Sequence, residues 1–332
     1  MSECKRSLLP PIVIGTLLSV ALGGHVLAVV QALLTPSRDN CLRDLSLSLL
    51  ESQQDQPSED DRLPKLLLEI KKEHYQECKP LDGPLKVRFD FSGSKVFAFD
   101  FSQKTITGTE SKPIVSESRG LLLLKSKGNG FGSILLKNPK TSIKDGDSPA
   151  SSEIESPTLA VPAIHDEGTL AEGGKDTQPL LRMLFPVLSK PYLRGEVIEL
   201  PIQLETNVMG THLPVHGTQK STLTKYVSLS GKICARLETQ IDISKLEAPK
   251  EMEDKPEVSV RGGSVFYFEI ETREFVSGEA VFEMKISAGK AKAGADPKKD
   301  SPRPNHSAPL TLTSDFVIGV QRNAVKSGAG SD

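Results

Sequence analysis

The chain has no tryptophan and only four tyrosines, so the flat aromatic platforms on which nucleic-acid bases stack are scarce. Carbohydrate-binding faces use the same rings and are equally poorly supplied. Basic residues do not exceed acidic ones: 41 Lys and Arg stand against 43 Asp and Glu, a formal charge of −2. Nothing in that balance attracts a phosphate backbone, and nucleic acid is excluded as a partner. The chain is also short of cysteine, with four, at positions 4, 41, 78 and 234, and none of the spacings is that of a metal site. No G-x-S-x-G elbow, phosphate-binding lysine loop, H-E-x-x-H or C-x-x-C occurs. The expectation is a protein without cofactor, metal site or catalytic motif.

One feature is present in excess. Residues Ile12 to Leu34 form a single apolar run free of Lys, Arg, Asp and Glu. At about 1.5 Å per helical residue it extends for about 34 Å, enough to cross a hydrocarbon core of about 30 Å. A cleaved signal peptide is the rival reading, with Val26-Leu27-Ala28 as a small-residue cleavage site after Lys5 and Arg6. The apolar run continues beyond that point to Leu34, and this favours an uncleaved signal anchor. Neither Cys4 nor Cys41 lies in the small-residue context of a lipid-attachment site, so the helix itself is the anchor. Lys5 and Arg6 on one flank are nearly matched by Arg38 and Arg43 on the other. The free amino terminus and the large following domain tip the orientation toward a C-terminal body on the extracytoplasmic (periplasmic) side of the cell membrane. Gly15, Ser19 and Gly23 recur every four residues, the small-xxx-small pattern through which membrane helices approach, and make a homodimer through this helix a candidate assembly.

The rest reads as a mainly β chain with an N-terminal transmembrane helix and short juxtamembrane helices, its strands forming one or two antiparallel β-sandwich or half-barrel-like units. The organisation expected is a short tail (1–11), the transmembrane helix (12–34), a juxtamembrane helical segment (35–80), a first β unit (84–137), a linker or long loop (138–179), a second β unit (180–323) with a disordered insertion (288–308), and a disordered tail (324–332). Leu63, Leu66, Leu67, Ile70 and His74 keep helical spacing, and such a helix either packs on the following domain or serves as a stalk. Val87, Phe89 and Phe91, and then Phe97, Phe99 and Phe101, alternate with period two. Residues 93–106 resemble 263–275 when one position is skipped, matching Phe97 with Phe266, Phe99 with Phe268 and Lys104 with Arg273. Either a duplicated β unit or convergence of two amphipathic strands accounts for it.

Candidate chemical sites are few. Cys41 and Cys78 bracket the juxtamembrane segment and are a candidate disulfide in an oxidising compartment, whereas Cys234 reads as a buried thiol on a strand. An odd cysteine outside the cytoplasm is the best argument for the opposite orientation. The glycines 128, 130 and 132 lead into strand rather than helix and are a turn, not a phosphate cradle. His212 and His216 stand four apart but flank Pro214 and lack a third ligand, which favours a loop with exposed histidines. Ser92 and Lys95 match S-x-x-K only in a turn, and Asn305-His306-Ser307 is an isolated sequon.

The function expected is that of a membrane-anchored, single-pass, extracytoplasmic β-rich protein, a non-enzymatic binding or scaffolding module with a protein or lipid partner. A carrier of an apolar or lipid ligand is the alternative, and an extracytoplasmic hydrolase using His165, His212 or His216 as general base the more distant one. The anchor is checked directly. The full chain should stay with membranes through a high-salt wash and keep its original N-terminus, and a mature form starting near Val29 would remove the anchor.

Overall fold

The computed structural model describes residues 62–72, 74–109, 112–146, 148–170, 184–188, 190–208, 211–246, 257–288 and 310–322. The stretch 12–34, with Gly15, Ser19 and Gly23, lies outside the described residues, as do Cys41, the first of the expected juxtamembrane helices and the segment 289–309. Among the described residues no helix is long and apolar enough to cross a membrane.

The chain is mostly β. Helix α1 (Arg62–Lys71) comes first, followed by β1 (Gln76–Glu77), β2 (Val96–Thr109), β3 (Lys112–Gly128), β4 (Phe131–Asp145), β5 (Ile154–Glu155), β6 (Leu159–His165), β7 (Val197–Val208), β8 (Thr211–Leu229), β9 (Lys232–Leu246), β10 (Glu257–Glu269), β11 (Phe275–Ala288) and β12 (Leu310–Arg322). They form one large antiparallel sheet in the order β1-β8-β9-β10-β11-β12-β2-β3-β4-β5, with β7 also on β8 and β6 also on β4. Strand β12, which follows all the others in sequence, lies in the middle and joins β11 to β2. Two tight turns fix the hairpin registers. Asn129 and Gly130 have φ of 53° and 78°, and Ser230 and Gly231 have φ of 52° and 79°. Two successive positive φ values give the turn whose twist matches that of the flanking strands.

Ten strand positions laid flat would span about 43 Å at about 4.8 Å per spacing. Yet Ile134 and Val161 near one end of the order share a single buried cluster with Ile198 and Leu223 near the other. The sheet is therefore curled, with its inner face around one core. That core is filled by phenylalanine. The ring of Phe275 stands between 5.4 and 6.2 Å, centroid to centroid, from Phe89, Phe99, Phe185, Phe266 and Phe268, mostly in tilted geometry that suits the ring quadrupoles.

Irregular chain closes the remaining gap. Val87, Phe89 and Phe91 point inward as their alternation predicts, but only Leu85 joins a bridge, exchanging two 2.8 Å backbone hydrogen bonds with Tyr192. The Phe89 N–H donates to the Asp166 carbonyl at 2.8 Å. Arg88 clamps the same turn, donating to Asp166 at 2.9 Å and Glu167 at 2.6 Å.

The outer face carries α1. Leu63, Leu66, Leu67 and Ile70 pack on Val227, Cys234, Val265, Tyr267 and Val281, so both faces of β10 are buried there. The helix is fastened at each end. Arg62 reaches Asp315, 1% exposed, at 3.3 Å and donates to the Gly108 carbonyl at 2.9 Å. At the other end Arg236 donates to the Lys71 carbonyl at 3.0 Å, satisfying one of the acceptors that a helix end leaves open. Gly263 lies beneath the helix, where an added Cβ would come within 3.1 Å of Leu67 and 2.8 Å of the Thr239 carbonyl.

Several expected boundaries move. Strand β4 continues through 138–145, the TLAVPAI segment supplies β6, and His212 and His216 lie on β8 rather than in a loop. Gly262 and Gly263 lie within β10, where glycine admits close approach of the β11 and β9 backbones. Replacing Phe275 by Ala leaves five rings without their common neighbour. Equilibrium urea unfolding should show a loss of about 3–5 kcal/mol, and an unchanged midpoint would remove Phe275 from the centre of the core.

Candidate functional site

Among the described residues, two adjoining cavities on the outer face, of about 420 and 380 Å³, share Ser102, Arg119, Glu279 and Gly319. The register explains why these four meet. Glu279 lies opposite Gly319, Gly319 opposite Ser102, and Ser102 opposite Arg119, giving one row across β11, β12, β2 and β3. Phe316, Ile318 and Val320 point into the core, so Gly319 must face outward, as period two requires. The two small residues form a floor. A Cβ at position 319 would stand 3.0 Å from the Ser102 hydroxyl, so any larger residue begins to fill the groove.

One wall is built by α1 and the turn after it, through Ile70, His74 and Tyr75. The rings of Tyr75 and Tyr267 meet edge to face at 5.2 Å. Burial pushes the Tyr75 phenol above its ordinary pKa, and the Glu279 carboxylate adds to this. Burial raises Tyr267 as well, with Arg236 opposing and Tyr75 and Glu279 reinforcing. Both phenols therefore stay protonated and offer hydroxyl donors beside a carboxylate. Asp100 lines the same cavity. Among the described residues Asp100, Arg119 and Glu279 take part in no ion pair, which leaves charges of both signs on an open groove.

The residues singled out from sequence fall elsewhere. His165 rests on the Phe131 ring at 4.6 Å, and its β6 lies near the opposite end of the strand order from β8, which carries His212 and His216. Ser92 and Lys95 both engage Asp90, whose carboxylate accepts from the Ser92 hydroxyl at 2.5 Å and from the Lys95 ammonium. They form a closed turn with no nucleophile–base pair free. Among the described residues no group of three or more His, Cys, Asp or Glu side chains is placed to hold a metal ion. Cys78 is a half-buried free thiol whose N–H donates to the Tyr226 carbonyl at 2.8 Å, while its candidate partner Cys41 lies outside the described residues. Cys234 is buried under α1, and burial chiefly, with Glu269 adding, pushes its thiol up to about 11. Such a thiol is unreactive at neutral pH.

The groove residues carry no local motif. Glu279, Gly319, Ser102 and Arg119 stand on four strands, and only the ladder aligns them.

Near the groove the sheet end is held by Glu269, which accepts from Lys232 at 2.5 Å and Thr272 at 2.9 Å. Burial raises this carboxyl, but the Lys232 ammonium and the Thr272 hydroxyl outweigh it and the net pKa is lowered. A depressed carboxylate pKa adds stability that is present above the unfolded-state value of about 4.3 and disappears as pH falls through the folded one. Glu269→Gln should therefore be less stable than wild type at pH 7 and equal to it near pH 2, read by thermal melts across that range. Equal destabilisation at both pH values would assign the loss to packing instead. No protein-family model matches this chain, and no curated protein is similar to it.

Proposed function

We propose that the chain is a membrane-anchored, extracytoplasmic, non-enzymatic binding module, a curled half-barrel-like body on a single-span tether whose outer groove beside α1 receives a protein or lipid partner. The observation that carries this reading is the contrast between the two faces. The inner face is packed with phenylalanine rings around Phe275, whereas Ser102 and Gly319 floor an open groove lined by uncommitted charges. That contrast weighs against the carrier alternative, which needs room on the inner face. The hydrolase alternative needs His165, His212 or His216 aligned on a nucleophile; of these, His165 lies against Phe131.

Photo-crosslinking tests the reading. A benzophenone attached through Ser102→Cys in the full chain, in its own membranes, should give a discrete protein or lipid adduct absent from Lys144→Cys on β4. Equal labelling at both positions, no adduct at 102, or an apolar molecule copurifying in equimolar amount would overturn it, the last in favour of a carrier.

A further inference from the structure

We propose that the groove holds a small zwitterionic group, an ammonium and an oxyanion a few ångströms apart, supplied by a lipid headgroup or a free solute. This rests on the groove being the binding surface, as argued above. Its size fits first, since about 420 Å³ is in the range of small-ligand sites. The charges fit next. Three strand spacings of about 4.8 Å separate Glu279 from Arg119 along the row, about 14 Å between their Cα atoms. Both side chains line the cavity whose floor is Gly319 and Ser102, so it presents opposite charges to whatever it holds. Within the cavity of about 420 Å³, whose acidic and basic lining residues besides His74 are Asp100, Arg119 and Glu279, a lone anion on Arg119 would face two carboxylates and a lone cation on Glu279 would face Arg119. Glu69, Lys104 and Glu117 line the adjoining cavity. A group with both charges satisfies each end and repels neither. The rings of Tyr75 and Tyr267 stand on the carboxylate side, where an ammonium gains from aromatic contact. An extended peptide is disfavoured because the floor is mid-sheet. Gly319 and Ser102 are paired on both sides, so no backbone edge is open for strand addition.

The test uses the detergent-solubilised full chain and phosphocholine as probe, with choline and inorganic phosphate as its separate halves. Calorimetry should show phosphocholine binding and at least about tenfold weaker binding of either half. Arg119→Gln and Glu279→Gln should each weaken phosphocholine by about tenfold, with unchanged melting temperatures, while Lys144→Gln should not. The source is separated by reconstituting Ser102→Cys into nanodiscs and following alkylation of that residue by mass spectrometry. Protection in phosphatidylcholine but not in phosphatidylglycerol assigns a headgroup, and protection by added phosphocholine alone assigns a solute. Failure of phosphocholine to bind, choline binding equally well, or indifference to both substitutions would overturn the zwitterion. A crosslinked protein at position 102 together with no phosphocholine binding would leave the binding module standing and remove only this ligand class.

Discussion

A sheet ten strands wide has one way to hide its apolar face with so little helix available, and that is to curl until the face meets itself. The phenylalanines set how far it curls. Phe97, Phe99, Phe101, Phe266, Phe268, Phe275, Phe282 and Phe316 all lie at or below 8% exposure in one cluster, and rings of this size occupy the concavity. The irregular residues 85–91, 184–188 and 190–192 follow from the same requirement. Leu85 bridges Tyr192, Phe89 bonds the turn after β6, and Phe89, Phe185 and Tyr192 are buried.

The outer face obeys a different rule, because only part of it is covered. Helix α1 is ten residues long, too short to persist in water alone, and its place is set by contacts rather than propensity. Arg62 with Asp315 and Arg236 with the Lys71 carbonyl fix its two ends. A nearly buried ion pair contributes little net energy once desolvation is counted, yet breaking it leaves an uncompensated charge. These contacts accordingly determine where the helix sits more than how firmly. Since Ile70 and the following His74 and Tyr75 form one side of the groove, the same two arginines define its width.

Much of this was legible in the chain. The alternation of Phe97, Phe99 and Phe101, the glycine turn at 128–132, the buried position of Cys234 and the helical spacing of Leu63, Leu66, Leu67 and Ile70 all reflect periodicities that the sheet and helix impose locally. The paired positions of the internal resemblance also share a face, Phe97 with Phe266 and Phe99 with Phe268 inward. It ends where β10 stops, for Arg273 occupies a turn with φ of 59° while Lys104 lies within a strand. The burial of Leu184, Phe185, Leu188 and Tyr192 was illegible because Pro186 and Pro191 break any period, and it depends on contacts with elements distant in sequence. The groove was illegible for a deeper reason: the register between β12 and β2 is a property of strands far apart in sequence, and no window on the chain contains both.

That central seat of β12 bears on the order in which the sheet can assemble. Thr107 and Ser314 share a 3.0 Å hydroxyl hydrogen bond across 207 positions of sequence, so the hairpins built from β2–β4 and those built from β7–β11 can each form early, with one flank unpaired. Until the closing strand emerges, β2 and β11 present bare edges and exposed phenylalanines side by side, a state inviting wrong pairing. The sheet closes only when its last strand is in place.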